Sequence, residues 1–228
     1  MDLIKWEASY CMNIAIDGPA GAGKSTIAKI LAEKLGMNYI DTGAMYRAIT
    51  LKAIENNIDF NDVSSLINLV NNTDIKISNS RIYLDSKDVT DKIRTPLVNQ
   101  KVSKIAAISE IREKMICLQR ELAENGNVIM DGRDIGTVVL PNASLKFFIT
   151  ATVEERAKRR FLELKAKGYD VNYDNIKKEI LSRDEQDMKR KISPLKLAED
   201  AIVIDTSNKE IEEIIQEILQ QHITRKKI

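Results

Sequence analysis

The amino-acid sequence predicts an α/β protein in which a central parallel sheet lies between layers of helices. Short apolar segments typical of strands alternate with longer segments of helical periodicity, which is the order expected of an α/β layered fold. The segments 128–130 and 145–149 are almost continuously apolar, as in a parallel sheet that is covered on both faces. A chain of 228 residues can bury a core without disulfides or structural metals.

The overall charge is close to neutral, and this disfavours several functional classes. Lys plus Arg number 35 and Asp plus Glu number 34, so no basic excess attracts nucleic acid or an anionic membrane. Cys11 and Cys117 are too few for a disulfide framework. His222 is the single histidine, which disfavours histidine-dependent hydrolysis and histidine-ligated zinc.

We expect a cytoplasmic protein with no nucleic-acid partner and no membrane partner. The sequence has no run of about 18 apolar residues that could span a bilayer. Residues 1–11 are mixed in character and lack the apolar core of a signal peptide. Met12 directly precedes the first strand segment and is a candidate start.

The first elements are a strand at 13–17, a glycine-rich turn and a helix. The helix is predicted from Lys24 to about Leu35, because its apolar residues recur at helical spacing. Gly36 is a natural stop for this helix. A second short strand follows at 39–40 and ends at Asp41.

The segment 56–96 differs from the rest and predicts an inserted lobe. Asn and Asp are frequent there, and helical periodicity is broken. The strand segments 75–77 and 81–84 flank Asn79 and Ser80, which indicates a small hairpin. One long helix is predicted after the lobe, from about Leu97 to Glu124.

The second half continues the alternation of strands and helices. Thr152 and Glu155 form a capping-box signal for a helix that ends near Gly168. The remaining predicted elements are a helix over 173–191, a strand over 201–205 and a final amphipathic helix.

The glycine-rich turn matches the complete G-x-x-x-x-G-K-[ST] pattern, with a strand before it and a helix after it. Its residues are Gly18, Pro19, Ala20, Gly21, Ala22, Gly23, Lys24 and Ser25, and Thr26 follows them. Glycines let backbone amides approach phosphate, and the helix N-terminus adds partial positive charge. Lys24 is expected to reach the β- and γ-phosphates of a nucleoside triphosphate, and Ser25 to hold Mg²⁺ directly.

Arg47 and the segment Asp131-Gly132-Arg133-Asp134 are further candidate site residues. The segment follows the strand 128–130, and ligands bind at the carboxyl ends of strands in open α/β sheets. Asp131 is placed to support Mg²⁺ through water. A salt-bridged turn at the segment, and a surface position for Arg47, are the alternative interpretations.

Two later helices carry arginines at helical spacing. Arg156 and Arg160 lie one turn apart in the first of them, and Arg183, Asp187 and Arg190 share one face of the second. Such faces could form a lid that closes on phosphates, because positioned positive charge stabilises phosphoryl transfer. A solvated charged stripe is an equally good interpretation of this spacing.

Taken together, these motifs make the chain resemble the nucleoside monophosphate kinases, most closely those of the bacterial cytidylate kinase family. The motifs that carry the resemblance run from Ile16 to Ser25, Asp41 to Arg47, Asp131 to Val139 and Arg183 to Asp187. The resemblance extends over nearly the whole chain from Met12 onward. It implies a three-layer P-loop fold with an inserted monophosphate-binding lobe and a small helical lid.

The resemblance also implies residue roles. Lys24, Arg133 and Arg183 would be catalytic. The residues implied to bind the acceptor CMP are Thr42, Arg47, Ser103, Arg112, Arg133, Asp134, Arg183 and Asp187, and those of the lid are Arg156, Arg160 and Arg190. Within this set, Arg47 and Arg133 would hold the acceptor phosphate, and Ser103, Arg112 and Asp134 would bind the cytosine. Arg183 and Asp187 would contact the sugar and its neighbouring phosphate.

The implied activity is transfer of the γ-phosphoryl group of ATP to CMP or dCMP, with Mg²⁺ as cofactor. We expect a monomer that forms a single kinase domain. Its core would comprise 12–55, 97–152 and 192–228, with the lobe at 56–96 and the lid at 153–191. A kinase for another small acceptor, a P-loop protein that only binds nucleotide and a nucleic-acid kinase are the alternatives.

Overall fold

The computed structural model describes residues 12–78 and 81–225. Its helices are α1 Lys24–Leu35, α2 Thr42–Glu55, α3 Val63–Asn71, α4 Pro96–Ala106, α5 Ser109–Ala123, α6 Val153–Ala166, α7 Tyr173–Met188 and α8 Ile211–Arg225. Its strands are β1 Asn13–Asp17, β2 Asn38–Asp41, β3 Ile75–Ser78, β4 Arg81–Leu84, β5 Lys87–Asp88, β6 Val128–Asp131, β7 Leu145–Thr150 and β8 Ile202–Asp205. Met12, the candidate start, is the first described residue, and the preceding extension, residues 1–11, lies outside the described residues.

The main sheet is parallel, which confirms the predicted fold class. Within the described residues it has five strands in the order β2-β6-β1-β7-β8. Ile16 is in register with both Asp131 and Phe147, and Asp41 is in register with Asp131. The carboxyl ends of β1, β2 and β6 therefore lie side by side at one edge, where open α/β sheets bind ligands.

Apolar side chains cover both faces of this sheet. On one face, β1 and β7 pack with α1 and α8 through buried residues such as Ile14, Ile27 and Ile215. On the other face, Ala15 and Met130 pack against residues of α5 and of a π-helical turn at 135–139. Coverage of both faces explains why the strands are continuously apolar.

The inserted lobe contains the predicted hairpin. Ile75 pairs with Leu84 and Ile77 with Ile82 in antiparallel register, and β5 adds a third strand. The connecting turn predicted at 79–80 lies outside the described residues. The strand pairing of the hairpin is therefore confirmed, whereas its turn stays a prediction.

The expectation that the lobe lacks helical periodicity was wrong, because α3 occupies part of it. Asp62 caps this helix, since its Oδ1 accepts a hydrogen bond from the Ser65 amide at 3.0 Å. Leu66 and Val70 are buried one turn apart on its inner face. The signal was present as an Asp cap, but the surrounding Asn and Asp residues obscured it.

Among its described residues, the lobe has no core separate from that of its neighbours. One cluster of buried side chains runs from α2 through the lobe into α4 and α5, and it includes Ile49, Leu66, Ile82, Ile105 and Met115. The predicted boundary at 96/97 therefore falls inside a continuous apolar core, and the division into core, lobe and lid stays a prediction.

The single helix predicted over 97–124 is two helices. Ile108 adopts an extended conformation with ψ 121° and separates α4 from α5. Arg112 Nη1 donates a hydrogen bond to the Ala106 carbonyl at 3.2 Å, which satisfies an acceptor at the end of α4. No glycine or proline marks this break, so the prediction from helical periodicity treated the two helices as one.

Helices α6 and α7 form the predicted helical pair after β7. Thr152 Oγ1 accepts a hydrogen bond from the Glu155 amide at 3.3 Å, as the capping signal predicted. The two helices pack through Ala157, Leu164 and Ile180, and α7 ends at Met188, earlier than expected. Among the residues described, no helix is both long and apolar enough to cross a membrane.

Candidate active site

A cleft of about 1150 Å³ opens between the phosphate loop, the ends of β2 and β6, α4 and the α6–α7 pair. Most of the predicted site residues line it. These are Ala20, Gly21, Gly23, Lys24, Ser25, Thr26, Thr42, Arg47, Ser103, Arg112, Asp131, Arg133, Asp134, Arg160, Arg183, Asp187 and Arg190. The fold therefore brings together residues that are widely separated in the sequence.

The phosphate loop depends on glycine at two positions. Gly18 has φ +145°, and a Cβ there would lie 1.9 Å from the Ile149 carbonyl oxygen. Gly23 has φ +90° and stands at the N-cap of α1, where no side chain caps the helix. The first amides of α1 are therefore free to bind an anion.

Lys24 is buried beneath the loop, and its ammonium group donates a hydrogen bond to the Pro19 carbonyl at 2.7 Å. Burial and the nearby charge of Arg133 lower its pKa. An anion in the loop would favour the charged form of Lys24 again, because opposite charges stabilise each other in a poorly solvated site. This region therefore favours a ligand with several negative charges.

Asp131 is held by two hydroxyl groups at the end of β6. Ser25 Oγ donates to its Oδ2 at 2.9 Å, and the Tyr39 hydroxyl donates to its Oδ1 at 2.7 Å. Burial and the neighbouring Asp41 raise the pKa of Asp131. Tyr39 was not among the predicted site residues, although it lies only two residues before the end of β2 at Asp41.

Hard oxygen donors at Ser25 and Asp131 are suited to Mg²⁺, which keeps much of its coordination for water and phosphate oxygens. Within the described part of the chain, no group of three or more His, Cys, Asp or Glu residues is arranged to hold a metal ion.

Asp41 joins two arginines at the end of β2. Arg47 Nη2 donates to Asp41 Oδ1 at 3.0 Å and to Oδ2 at 2.8 Å, and Arg94 Nη2 donates to Oδ2 at 2.8 Å. Burial opposes ionisation of Asp41, but Arg47 and Arg94 outweigh it and lower its pKa. Asp41 and Arg94 were not among the predicted site residues.

Arg112 and Asp134 form a buried ion pair in the wall of the cleft. Arg112 Nη2 lies 2.5 Å from Asp134 Oδ2, and the whole Arg112 residue is only 1% exposed. Its guanidinium also stacks over the Tyr46 ring at 5.5 Å. Among the described residues, Arg112 Nε is buried without a hydrogen-bond partner.

The charged face of α7 is buried, so the solvated-stripe interpretation was wrong there. Asp187 is 1% exposed, accepts a hydrogen bond from Arg133 Nε at 2.7 Å and also pairs with Arg190. Burial and the charge of Arg133 lower the pKa of Arg183 to about 10, and Arg183 Nε finds no hydrogen-bond partner in the part of the chain that the structure describes. The arginines in this part of the cleft exceed the carboxylates that balance them.

Arg156 does not line the cleft but lies behind the phosphate loop. It is buried and donates to the Ala20 carbonyl at 2.9 Å and to Asp184 Oδ2 at 2.5 Å. The Ala20 amide in turn donates to Asp184 Oδ1 at 3.3 Å. In this structure Arg156 supports the loop rather than the lid surface, and its predicted role as a lid residue stays a prediction.

Arg159, which the sequence had not assigned to the site, lines the cleft one residue before Arg160. It donates to the hydroxyl and the carbonyl of Thr206 at 2.9 and 2.6 Å. Arg160 pairs with Glu163. Helical spacing identified the arginine-rich face but not which of its members reach the cleft.

Asp17 ties the end of β1 to the loop that follows β6. It accepts hydrogen bonds from the amides of Ile135 and Gly136 at 2.8 and 2.7 Å. Burial raises its pKa from an ordinary 3.8 to about 6, although these two amides oppose the shift. The loop that carries Arg133 and Asp134 is thus attached to the main sheet by a buried carboxyl group.

We expect Asp17→Asn to change how stability depends on pH. Between about pH 4 and 6 the unfolded wild-type chain loses the Asp17 proton while the folded protein keeps it, so folding is favoured less as the pH rises. The free energy of unfolding of the wild type relative to the variant should fall by about 3 kcal/mol across this window. Denaturant unfolding of both proteins at several pH values tests this, and a constant difference would contradict it.

Comparison with known proteins gives the following similarities. A family model described as cytidylate kinase matches residues 14–224. A cytidylate kinase from Caldicellulosiruptor saccharolyticus is 57% identical over 213 residues, covering 92% of this chain and 94% of the relative. One from Carboxydothermus hydrogenoformans is 53% identical over 213 residues, covering 92% and 96%.

A solved structure of an uncharacterized protein from Eubacterium ventriosum is also similar. It superimposes with a TM-score of 0.52 at 14% identity, covering 93% of this chain and 98% of that one. At that identity the likeness concerns the fold alone.

Proposed function

Because the chain belongs to the cytidylate kinase family, we infer that it transfers the γ-phosphoryl group of ATP to CMP or dCMP, giving ADP and CDP or dCDP. It is an ATP-dependent nucleoside monophosphate kinase with a P-loop α/β fold. How its residues divide the work is proposed below from the geometry of the cleft.

The observation that best supports the proposed roles is the arrangement of charge in the cleft. The phosphate loop and Lys24 lie on one side, and Arg47, Arg133 and Arg183 approach from the others. Two phosphate-bearing ligands that meet between them would have their negative charges balanced. Such balance is the main requirement of phosphoryl transfer, which needs little covalent chemistry from the protein.

We propose that an oxygen of the acceptor's own phosphate attacks the γ-phosphorus of ATP. As the new oxygen–phosphorus bond forms, the bond to the β-phosphate oxygen breaks, and ADP leaves with the electron pair. The attacking oxygen is already anionic near neutral pH, since the second pKa of a phosphate monoester is about 6. No general base is needed, and Lys24, Arg133 and Arg183 act by alignment and charge stabilisation.

We propose that Ser25 holds Mg²⁺ directly and that Asp131 holds it through water. The hydrogen bond between Ser25 Oγ and Asp131 Oδ2 supports this, because the Ser25 proton points to the carboxylate and leaves oxygen lone pairs for a cation. When bound, Mg²⁺ neutralises phosphate charge and orients the triphosphate.

The acceptor nucleoside is assigned to the other half of the cleft. We propose that Ser103, Arg112 and Asp134 recognise the cytosine edge, and that Arg183 and Asp187 contact the sugar. Thr42, whose hydroxyl donates to the Asp131 carbonyl at 2.7 Å, shapes the floor beside Arg47. The close Arg112–Asp134 pair supports base recognition, because paired groups present a fixed donor and acceptor pattern.

For the lid, the cellular location and the oligomeric state, we propose what the sequence analysis predicted. Arg156, Arg160 and Arg190 would act in a lid that closes over the reacting phosphates, and the protein would work as a cytoplasmic monomer. Arg190, paired with Asp187 in the cleft, is well placed to join the reacting phosphates when α6 and α7 move. Analytical ultracentrifugation with and without nucleotides would test the monomer.

ADP formation from Mg-ATP with each of CMP, dCMP, UMP, AMP and GMP tests the function. We expect strong turnover with CMP and dCMP and little with the purine nucleotides. Preference for another monophosphate would keep the phosphoryl-transfer mechanism and overturn the roles of Ser103, Arg112 and Asp134. Turnover that no acceptor stimulates would contradict the kinase assignment and favour a protein that only binds nucleotide.

A further inference from the structure

We propose that Arg94 is a positioning residue for the acceptor phosphate, acting through Asp41 on Arg47. The inference rests on the proposed function, because it concerns how the acceptor's phosphate is held. Arg94 belongs to a short 3-10 turn of the inserted lobe, whereas Asp41 ends β2 of the main sheet. Their ion pair therefore connects the lobe directly to the phosphate-binding edge of the core.

One carboxylate oxygen is shared by the two arginines. Asp41 Oδ2 accepts a hydrogen bond from Arg47 Nη2 at 2.8 Å and from Arg94 Nη2 at 2.8 Å. Asp41 Oδ1 also accepts from the Ala44 amide at 2.9 Å, which fixes the carboxylate at the start of α2. Any shift of Arg94 therefore changes the electrostatic attraction between Asp41 and Arg47.

Charge explains why a second arginine is needed. Arg47 and Asp41 alone would cancel, and a phosphate beside Arg47 would also face the buried negative charge of Asp41. Arg94 adds a second positive charge, so the three groups together remain cationic toward the cleft. An anionic acceptor is then attracted even though a carboxylate lies next to the arginine that binds it.

The three side chains differ in burial. The Arg47–Asp41 pair is the inner, more buried one, and the Arg94–Asp41 pair is the outer, more exposed one. The side chains of Arg47 and Asp41 are 12% and 11% exposed, whereas that of Arg94 is 42% exposed. Ion pairs as exposed as the outer one contribute little to folding stability. The Arg94–Asp41 contact can therefore be removed without loss of the fold.

Arg47 also has a buried hydrogen-bond donor, its Nε, that the protein leaves unpaired within residues 12–78 and 81–225. The residue lines the cleft together with Arg94. A buried donor without a partner is unfavourable, and a phosphate oxygen would satisfy it. Arg94 thus helps to hold a guanidinium group that lines the acceptor side of the cleft.

The test compares Arg94→Gln with the wild type in steady-state kinetics. We expect the KM for CMP to rise about fivefold, as for loss of a half-exposed ion pair. The kcat and the KM for ATP should stay within about twofold of the wild-type values, because the substitution weakens only the ground-state binding of CMP. Arg94→Lys should restore part of the affinity, and the thermal midpoint should not move.

Arg81→Gln is the matched control. Arg81 lies on the same lobe but pairs with Asp88 inside it at 2.5 Å, and its side chain is 61% exposed. Its removal should leave the KM for CMP unchanged. An equal rise in this variant would show a general effect of lobe charge and would overturn the proposal.

Asp41→Asn decides whether Arg94 acts through Asp41. Asparagine can still cap α2, but it removes the charge that Arg94 balances. Arg94→Gln should then have little further effect on the KM for CMP. An undiminished effect in the Asp41→Asn protein would mean direct contact with the phosphate and overturn the positioning role, as would an unchanged KM in Arg94→Gln alone. Failure of the wild type to phosphorylate CMP would overturn the proposed function, and this inference with it.

Discussion

Replacing Arg133 with alanine should lower kcat with CMP by about 10²- to 10³-fold, the range for loss of one group that stabilises transition-state charge. Arg133 lies on the loop after β6 and donates to Asp187 at 2.7 Å, so it joins the core edge of the cleft to α7. Its loss removes a positive charge from the acceptor side and also releases Asp187. Both changes disfavour the approach of an anionic acceptor.

ATP binding by the Arg133→Ala protein should remain nearly intact. Arg133 is one of the charges that lower the pKa of Lys24, so its removal makes the ammonium form of Lys24 easier to keep. Calorimetric titration with Mg-ATP measures this independently of turnover. Equal losses of ATP affinity and turnover would overturn the assignment of Arg133 to the acceptor side.

Arg120→Ala is a suitable control for disruption of the loop. Arg120 donates to the carbonyls of Val138 and Val139 at 2.7 and 3.2 Å, close to the same loop, but it does not line the cleft. If the Arg133 effect came only from loosening this segment, Arg120→Ala would reproduce it. We expect a small change in kcat instead, as is usual for an exposed position.

Replacing Gly18 with alanine should remove ATP binding and lower the free energy of unfolding by more than about 3 kcal/mol. The added Cβ would lie 1.9 Å from the Ile149 carbonyl oxygen at a φ of +145°. Either β1 must separate from β7 or the phosphate loop must change its path. Chemical denaturation and nucleotide titration would measure the two effects.

The variant Gly36→Ala distinguishes the steric clash at Gly18 from the cost of a positive φ alone. Gly36 also has a positive φ, +63°, but no atom of the described residues lies within 4 Å of the position that a Cβ would take. Its substitution should cost about 1–2 kcal/mol from the left-handed conformation alone, with ATP binding retained. Equal losses in the two variants would contradict the close-approach explanation.

The sequence predicted the parts of the site that are local in the chain. The phosphate loop needs only a strand, a glycine turn and a helix in succession, so a contiguous motif is sufficient to locate Lys24 and Ser25. Asp131 was found for a similar reason, since a polar residue directly after an apolar strand must lie at the sheet edge. These predictions follow from backbone geometry alone.

Residues that depend on packing between distant segments were not predictable in the same way. Arg94 reaches Asp41 only because the lobe folds back over β2, and Tyr39 becomes relevant only when β6 pairs beside it. Arg156 was expected at the lid surface because helical spacing does not show which turn faces the phosphate loop. The break at Ile108 was missed because its cause is tertiary, namely the packing of α4 and α5 into the apolar cluster that they share with α2 and the lobe.

The strand order has a consequence for how the chain can fold while it is being synthesised. β1 and β2 emerge first but do not pair with each other, since β6 lies between them and β7 lies on the other side of β1. Asn13 and Val128, which are paired across β1 and β6, are 115 residues apart in sequence. The nascent chain must therefore keep two apolar strands without partners until more than half of it has been translated, and during this time their edges are open to misassembly or to chaperones.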